Sequence, residues 1–173
     1  MARNIEIKAR IESVEALLPR ALAVAGGAPA RIAQDDTFFP VTMGRLKLRQ
    51  FEDGSAELIH YHRADATQAK ASDYVRVPVP DPTALREALS RGLGLLGRVR
   101  KQRLLLLAGA TRIHLDRVEG LGDFMELEVV LAESQSDADG ERIADALMAE
   151  LGLGDAERVA GAYMDLLLAG SAG

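Results

Sequence analysis

Charged and apolar residues alternate at a period of two in five stretches of this chain, and this pattern constrains the fold more than any other feature of the sequence. The five stretches are residues 4–8, 45–49, 101–103, 112–116 and 126–129. Residues i, i+2 and i+4 of a β-strand share one face, so each stretch predicts a strand with a charged face and a mostly apolar face. Cations dominate the middle stretches, and the last two add carboxylates. Brought together, the charged faces would form a lining suited to a polyanion and an accompanying metal ion.

The remaining strand and helix signals predict an α+β fold with a mostly antiparallel sheet. Strands are predicted over residues 4–11, 32–39, 44–51, 57–63, 72–79, 98–107, 111–118 and 124–131. Helices are predicted over residues 13–25 and 83–91, and two more follow residue 137 with a break at residues 152–154. Ser13 and Asp81 are the predicted N-caps of the first two helices. Asp53 and Gly54 predict a hairpin turn, and residues 64–71 predict a polar loop.

Composition narrows the possible partners. The 173 residues are enough for one domain, over residues 1–173, with a substantial core. A net charge of −5 gives no overall basic field and tryptophan is absent, so nucleic acid is not an expected partner. The lack of cysteine excludes disulfides, thiolate zinc sites and cysteine nucleophiles. Neither a secretory signal nor an apolar run of about 20 residues is present, so we expect a cytoplasmic protein without a membrane partner. The longest apolar run, residues 104–108, predicts a strand buried in the core.

Periodicity alone leaves two orientations open for the charged residues. In the first, the charges face water and the apolar residues face a core, as is common in antiparallel sheets. In the second, helices cover the apolar face and the charges line a closed or strongly curved sheet. That lining requires a charged ligand, because unpaired buried charge is costly. The charges recur on nearly every predicted strand and are sorted by sign, which favours the second orientation without deciding between them.

Several short motifs occur in the order typical of one protein family. They are residues 4–8 (NIEIK), 44–49 (GRLKLR), 100–103 (RKQR), 111–116 (TRIHLD) and 122–128 (GDFMELE). Together they resemble the CYTH proteins, also called triphosphate tunnel metalloenzymes, which include class IV adenylate cyclases and thiamine triphosphatases. The resemblance covers residues 3–131, and the helical tail over residues 137–169 is less specific.

The resemblance implies both a fold and an activity. The fold is an eight-stranded antiparallel tunnel, a closed barrel with a charged lumen and with helices packed on its outside. The activity is that of an enzyme that depends on Mg²⁺ or Mn²⁺ and either hydrolyses a triphosphate or cyclises ATP. ATP, thiamine triphosphate and tripolyphosphate are the candidate substrates, and a homodimer is compatible with such folds. The alternative is a module that binds a triphosphate or polyphosphate without turnover.

The resemblance, together with side-chain charge, implies a role for each candidate site residue. Arginine and lysine bind phosphate oxygens, and carboxylates bind Mg²⁺ and Mn²⁺. The candidate substrate-binding residues are Arg45, Lys47, Arg49, Arg63, Lys101, Arg103, Arg112 and His114. The candidate metal ligands are Glu6, Glu126 and Glu128. Lys8 and Asp116 are the candidate catalytic residues, and Asp116 could instead reach the metal or orient an arginine.

Two positions depart from the family pattern. The first glutamate of the N-terminal signature is replaced by Asn4, a neutral oxygen donor, so the metal site has one charge fewer. Ile59 occupies a position where relatives often carry a lysine, and Arg63 could compensate from further along the same strand.

Overall fold

The computed structural model describes residues 3–62 and 74–170, which form eight β-strands and four α-helices in an α+β arrangement. The strands are β1 (Arg3–Arg10), β2 (Ala30–Phe39), β3 (Arg45–Phe51), β4 (Ala56–Tyr61), β5 (Tyr74–Pro78), β6 (Gly97–Ala108), β7 (Thr111–Val118) and β8 (Gly122–Leu131). The helices are α1 (Val14–Val24), α2 (Pro82–Leu93), α3 (Asp137–Glu150) and α4 (Tyr163–Gly170). Every predicted strand and helix is present. Most ends differ by a few residues, but the last helix begins at Tyr163 and not directly after the predicted break at residues 152–154. The predicted loop over residues 64–71 and the candidate Arg63 lie outside the described residues.

The strands form one sheet in the order β1-β8-β7-β6-β2-β3-β4-β5, and each pair of neighbours is antiparallel. Short turns join most sequential neighbours; at the β3–β4 turn, Phe51 N–H donates to Ser55 O over 2.9 Å, and Gly54 adopts a φ of 86°. The predicted antiparallel sheet is therefore confirmed. The predicted closed barrel is not confirmed, because β1 and β5 are the two edges and no pairing joins them within the described residues.

Strand register places the alternating charges on one face of this sheet, which we call the charged face. Directly opposed residues of neighbouring strands share a face. The pairs that define the charged face include Lys8 with Glu126, Glu6 with Glu128, Arg112 with Glu128, Arg103 with Asp116, Gln34 with Lys101, Asp36 with Arg49, and Lys47 with Ile59. Sequence alternation thus assigned the correct charged side to β1, β3, β6, β7 and β8, whereas the side chains of β2 on this face are identified by its pairing.

Three helices cover the opposite face of the sheet. Helices α1 and α3 pack on β1, β7 and β8, where Ile113, Leu115 and Leu127 are completely buried. Helix α2 packs on β2 and β3 around Phe39 and Leu48. Ser13 caps α1 through a 3.1 Å hydrogen bond from Ala16 N–H, as predicted, and Asp81 caps α2 in the same way. Within the described part of the chain, no helix combines the length and the apolar character needed to cross a membrane.

Helix α4 lies on the charged face, whereas the C-terminal helices were expected on the outside. Tyr163 and Met164 pack against Phe38, Val99 and Phe124, which share the face of the charged residues but lie toward one end of their strands. These apolar positions give α4 a local core at that end of the charged face. The charged residues of this face begin only two to four residues further along the same strands. The first turn of α4 therefore also contacts charged residues, as Tyr163 does with Asp116.

The leucine run that was predicted to be core is divided between the two faces. Leu106 is buried under the helices and Leu104 packs against the same cluster. Leu105 and Leu107 are opposed to His114 and Arg112, so they lie on the charged face. Leu107 is 57% exposed, and the prediction that it belongs to the core is wrong. Successive side chains of β6 continue to point to opposite faces through the leucine run. Because all four residues are apolar, the sequence did not show which of them face the core.

Helix α3 approaches the sheet closely at Gly140, which gives a test of the packing. A methyl group at Gly140 would overlap Ile5 and Leu131 of the sheet. We expect Gly140→Ala to lower the free energy of unfolding by about 1–3 kcal/mol, as overpacking does. Gly92→Ala in α2 is the matched control, because nothing lies within 4 Å of its added methyl group. The control should gain about 0.5–1 kcal/mol from helix propensity. Urea unfolding measures both, and a stabilised Gly140→Ala would contradict this account of α3.

Candidate functional site

Four cations from two strands gather at the middle of the charged face. They are Lys47, Arg49, Lys101 and Arg103, and the side chain of each is at most about one-sixth exposed. Each strand supplies a pair at i and i+2, which therefore project from the same side. Strand β2 runs between β3 and β6, so the two pairs flank its side chains. We call these four residues the cation cluster.

Asp36 of β2 is the counter-charge for the β3 half of the cation cluster. Its Oδ1 and Oδ2 accept hydrogen bonds from Arg49 Nε and Nη2, each over 2.7 Å, and Oδ2 also accepts one from Lys47 Nζ over 2.9 Å. Burial alone would raise the pKa of Asp36, but the charges of Lys47 and Arg49 outweigh it and hold the pKa well below its usual value. Sequence analysis missed Asp36. It is half of an Asp35-Asp36 doublet in a stretch without alternation, so the sequence did not show which carboxylate faces the cations.

Asp116 of β7 is the counter-charge for the β6 half. It is fully buried, and it accepts two hydrogen bonds from Arg103, at 2.7 and 2.6 Å, and one from the Tyr163 hydroxyl at 2.8 Å. Burial would raise its pKa, yet the hydrogen bonds from Arg103 and the charge of Lys101 lower it. Tyr163 belongs to α4, so the helix on the charged face donates the third of these hydrogen bonds to Asp116. Sequence analysis missed Tyr163 because no pattern placed the C-terminal helix on this face.

Lys101 is the least satisfied member of the cation cluster. Its Nζ lies 3.8 Å from Asp116 Oδ2 and 5.1 Å from the centre of the Tyr163 ring, and it makes no hydrogen bond with the described residues. Burial, and then the charge of Arg103, lower the pKa of Lys101 to about 7. Burial likewise lowers the pKa of Lys47 to about 8, although Asp36 opposes the shift. The middle of the charged face therefore holds more positive charge than its two carboxylates neutralise, as an anion-binding site would.

Beside the cation cluster lie Lys8, His114 and Glu126. Glu126 lies 3.5 Å from Lys8 Nζ, 3.4 Å from His114 Nδ1 and 3.7 Å from Arg103 Nη2. Burial would raise the pKa of Glu126, but the hydrogen bond with His114 and the charge of Arg103 hold it well below its usual value. Lys8 also donates to the carbonyl of Gly161 over 3.1 Å, next to the start of α4. Glu126 is thus ionised and linked to the cations as well as to β1.

A second acidic group lies further along β1 and β8. Glu6 and Glu128 are directly opposed in the register. Glu128 accepts a 2.6 Å hydrogen bond from Asn4 Nδ2 and contacts Arg112 Nη1 at 3.0 Å. The side-chain oxygen of Asn4, Oδ1, is buried, and it has no hydrogen-bond partner among the described residues.

The orphaned oxygen of Asn4 allows the donor set to be tested for a divalent cation. A buried acceptor without a donor is unusual and is explained well by a cation. Among the described residues, no three His, Cys, Asp or Glu side chains form a group that could enclose a metal ion. Mg²⁺ does not require such a cage, because it is commonly held by one or two carboxylates and completes its shell with water and substrate phosphate. Glu6, Glu128 and the amide oxygen of Asn4 fit that kind of site.

The described structure therefore brings most of the predicted residues to one face but not to one point. The central group contains Lys8, Lys47, Arg49, Lys101, Arg103, His114, Asp116 and Glu126. The acidic group contains Glu6, Arg112 and Glu128 together with Asn4. Arg45 lies at the opposite end of the face, where its Nη2 pairs with Asp165 of α4 at 2.9 Å. Arg63 lies outside the described residues.

Comparison with known proteins identifies relatives of this chain. The family model described as CYTH domain matches residues 2–163. No sequence among curated proteins matches the chain.

Solved structures with the same fold come from several organisms. The PH1012 protein of Pyrococcus horikoshii OT3 has 24% identity and a TM-score of 0.79, over 94% of this chain and 98% of that chain. A candidate adenylate cyclase of Vibrio parahaemolyticus has 19% identity and a TM-score of 0.74, over 96% and 98%. A candidate adenylyl cyclase of Hippeastrum with a dominant triphosphatase activity has 16% identity and a TM-score of 0.72, over 98% and 96%. At these identities the likeness establishes a shared fold.

The neighbouring aspartates of β2 give a matched test of the cation cluster. Asp36→Asn should lower the free energy of unfolding by about 3 kcal/mol, because it leaves Lys47 and Arg49 buried without their counter-charge. Asp35→Asn is the control, since Asp35 pairs with Arg98 nearer the surface, with Oδ1 2.6 Å from Arg98 Nε. Its loss should be at most about 1 kcal/mol. Urea unfolding near pH 7 measures both variants, and equal losses would show that Asp36 has no special role in the cluster.

Proposed function

The chain belongs to the CYTH family, and from that premise we propose that it binds a triphosphate together with a divalent metal ion and hydrolyses it. The observation that carries this proposal is the surplus of positive charge in the cation cluster. Lys101 has no hydrogen-bond acceptor among the described residues, and burial, followed by the charge of Arg103, lowers its pKa to about 7. A polyanion at this position would stabilise the charged form of Lys101 and supply the counter-charge that is missing.

The shape of the cluster supports a chain of phosphates over a single one. Lys47 and Arg49 lie on β3, which pairs with one side of β2. Lys101 and Arg103 lie on β6, which pairs with the other side. Guanidinium groups bind phosphate oxygens in pairs, and ammonium groups add point charges. We propose that the two pairs bind the triphosphate from both sides, with Arg112 and Arg45 further along the face as additional contacts for which the substrate would compete with Glu128 and Asp165.

We propose that Glu6 and Glu128 hold Mg²⁺ or Mn²⁺, with Asn4 contributing its amide oxygen, and that the third predicted ligand, Glu126, serves at the edge of the cation cluster instead. When bound, the metal neutralises phosphate charge and helps to position a nucleophile for in-line attack. Glu126 is poised between the two groups because Lys8 and His114 hold it at the edge of the cation cluster. In this proposal, Lys8 keeps Glu126 ionised and oriented.

Of the three roles open to Asp116, orienting an arginine is the one that its contacts support. Both of its oxygens already accept hydrogen bonds from Arg103, and one accepts another from Tyr163. A carboxylate with a lowered pKa and occupied lone pairs is a poor general base. We therefore propose that Asp116 fixes the guanidinium plane of Arg103 for phosphate binding.

Hydrolysis is favoured over cyclisation because it requires less from the site. Water attack needs the phosphate contacts and the metal, whereas cyclisation also needs a pocket that aligns a ribose hydroxyl and excludes water. The Hippeastrum protein, which shares this fold, has a dominant triphosphatase activity although it is a candidate cyclase. That precedent supports hydrolysis here.

Asn4 favours a second candidate function, a triphosphate-binding module with little turnover. Replacing a carboxylate by an amide removes one negative charge from the metal site and leaves the cation cluster intact. Such a change would weaken metal binding more than phosphate binding.

A turnover assay with purified protein distinguishes these functions. Tripolyphosphate, ATP and thiamine triphosphate would each be assayed with Mg²⁺ or Mn²⁺ for released phosphate and, with ATP, for cyclic AMP. We expect phosphate release. We also expect Glu128→Gln to lower the rate of phosphate release at subsaturating metal by about 10- to 100-fold. Glu119→Gln is the control, since Glu119 makes a surface pair with Arg100 at 3.5 Å. Cyclic AMP as the main product would establish the cyclase instead.

If no substrate is turned over and tripolyphosphate still raises the melting temperature, the binding module replaces the enzyme. If tripolyphosphate neither reacts nor stabilises the protein, the triphosphate proposal is wrong in both forms.

The lowered pKa of Lys101 predicts proton uptake on ligand binding. Above about pH 7, Lys101 is largely neutral in the free protein. A bound polyanion raises its pKa, so binding takes up a proton and affinity falls as the pH rises from 7 to 9. Calorimetry of tripolyphosphate binding at pH 8, in buffers of different ionisation enthalpy, measures this uptake.

The matched variant is Lys101→Arg, which stays charged throughout this range. It should take up fewer protons than the wild type by up to one per site, while the contribution of the ligand's own titration is the same in both. Equal proton uptake in the two proteins would rule out Lys101 as the titrating group.

A further inference from the structure

Gln34 of β2 is a buried polar residue in the middle of the charged face. It is 8% exposed and is directly opposed to Lys101 of β6, and Asp36 lies two residues further along β2 on the same face. The side-chain oxygen of Gln34, Oε1, is buried and has no hydrogen-bond partner among the described residues. Gln34 thus presents a buried hydrogen-bond acceptor beside the cation cluster.

The packing of the fold does not explain an amide at this position. A buried acceptor without a donor lowers stability, because it has lost its hydrogen bonds to water. An apolar side chain of similar size would avoid that loss. A glutamate would be ionised opposite Lys101 and would cancel part of the surplus charge of the cation cluster. The amide keeps that surplus and adds an acceptor at a cost in stability, which is typical of a functional residue.

The carboxylates of the central group already have donors. Asp36 accepts three hydrogen bonds from the two cations of β3. Asp116 accepts two from Arg103 and one from the Tyr163 hydroxyl. Glu126 lies within 3.7 Å of nitrogen atoms from three basic side chains. Among the described residues of this part of the face, the amide oxygen of Gln34 is therefore the buried side-chain acceptor without a donor.

We propose that Gln34 orients the attacking water in triphosphate hydrolysis, with its Oε1 accepting a hydrogen bond from that water. The inference rests on the proposed function, since it assumes that the cation cluster binds the phosphates and that water attacks them. A water that donates one hydrogen to a fixed acceptor holds a lone pair toward the phosphorus, and a glutamine amide serves this purpose in other phosphoryl-transfer enzymes. Opposed residues of paired strands lie about 5 Å apart at Cβ, so Gln34 is next to Lys101 of the proposed phosphate site.

Gln34 would contribute geometry to this step and no proton transfer. The water oxygen forms a bond to the terminal phosphorus, and the bond from that phosphorus to the bridging oxygen breaks. The electron pair of the broken bond leaves with the diphosphate. One proton of the water stays on the attacking oxygen, and the other passes to a second oxygen of the released phosphate. Removal of the amide should therefore lower kcat and leave substrate binding largely unchanged.

The test replaces the amide of Gln34 with an apolar group of similar length. Phosphate release from tripolyphosphate with saturating Mg²⁺ would be measured in the wild type and in Gln34→Met. We expect kcat to fall about 100-fold, as for a misplaced reactant, with KM and the tripolyphosphate Kd from calorimetry unchanged. The melting temperature should equal or exceed that of the wild type, because the variant removes a buried acceptor without a donor. A purely structural role would lower the melting temperature instead.

Gln34→Glu keeps an acceptor of the same length and adds a negative charge. We expect its kcat to be closer to the wild-type value than that of Gln34→Met, and its KM to rise because the charge repels phosphate. Gln102→Met is the matched control, since Gln102 is exposed on the opposite face of β6, between Lys101 and Arg103 in the sequence. It should leave both kcat and KM unchanged.

An unchanged kcat in Gln34→Met, with an active wild type, would overturn the role of Gln34 and leave the proposed hydrolysis intact. An equal loss of kcat in Gln34→Met and Gln34→Glu would also overturn it, because the acceptor would then not matter. A lower melting temperature in Gln34→Met would show that Gln34 serves the fold. A wild type that hydrolyses no triphosphate would overturn the proposed function itself, and with it the role of Gln34.

Discussion

Buried cations held by two carboxylates determine how the charged face is organised. A lysine or arginine removed from water is strongly unfavourable unless an opposite charge and hydrogen bonds replace the lost hydration. Asp36 supplies these to Lys47 and Arg49, and Asp116 supplies them to Arg103. Because each carboxylate lies on a strand next to its cations, the antiparallel register itself determines which charges meet. A shift of one residue in β2 or β7 would place the carboxylate on the helix-covered face and leave the cations unpaired.

Helix α4 depends on the same arrangement and also completes it. Its Tyr163 hydroxyl satisfies Asp116, and the Tyr163 ring lies 4.2 Å from Lys8 Nζ and 5.1 Å from Lys101 Nζ. An aromatic ring stabilises an adjacent ammonium group without neutralising it. The helix can therefore cover the cations while leaving their positive charge available to a ligand. A carboxylate at the position of the ring would remove the surplus charge on which the proposed anion binding depends.

The sequence predicted those features that follow from alternation and local signals. The strands, the caps at Ser13 and Asp81, the turn at Gly54 and the shared face of Lys47 and Arg49 all depend on neighbours along the chain. The missed features depend on contacts between distant segments. Asp36 is one of two neighbouring aspartates, and the pairing of β2 with β3 and β6 determines that Asp36 lies on the charged face. Tyr163 contacts Asp116 from 47 residues away in the sequence. Leu107 was misassigned because an apolar residue in an alternating strand can face either side. Alternation likewise does not determine whether the two edges of a sheet meet.

Asn4 shows how one substitution can change the balance between folding and metal binding. Its amide nitrogen donates to Glu128, and its buried amide oxygen has no partner in the part of the chain that the structure describes. A glutamate at this position would add a third carboxylate beside Glu6 and Glu128, and like charges at such short range disfavour ionisation and folding when no cation is present. The amide avoids that repulsion and stabilises Glu128 in the free protein. The same exchange weakens the attraction for a divalent cation, since a neutral oxygen replaces a charged one. At the proposed metal site, Asn4 would therefore favour assembly of the empty site over metal binding, and a bound phosphate chain that supplies further oxygens would compensate for the missing charge.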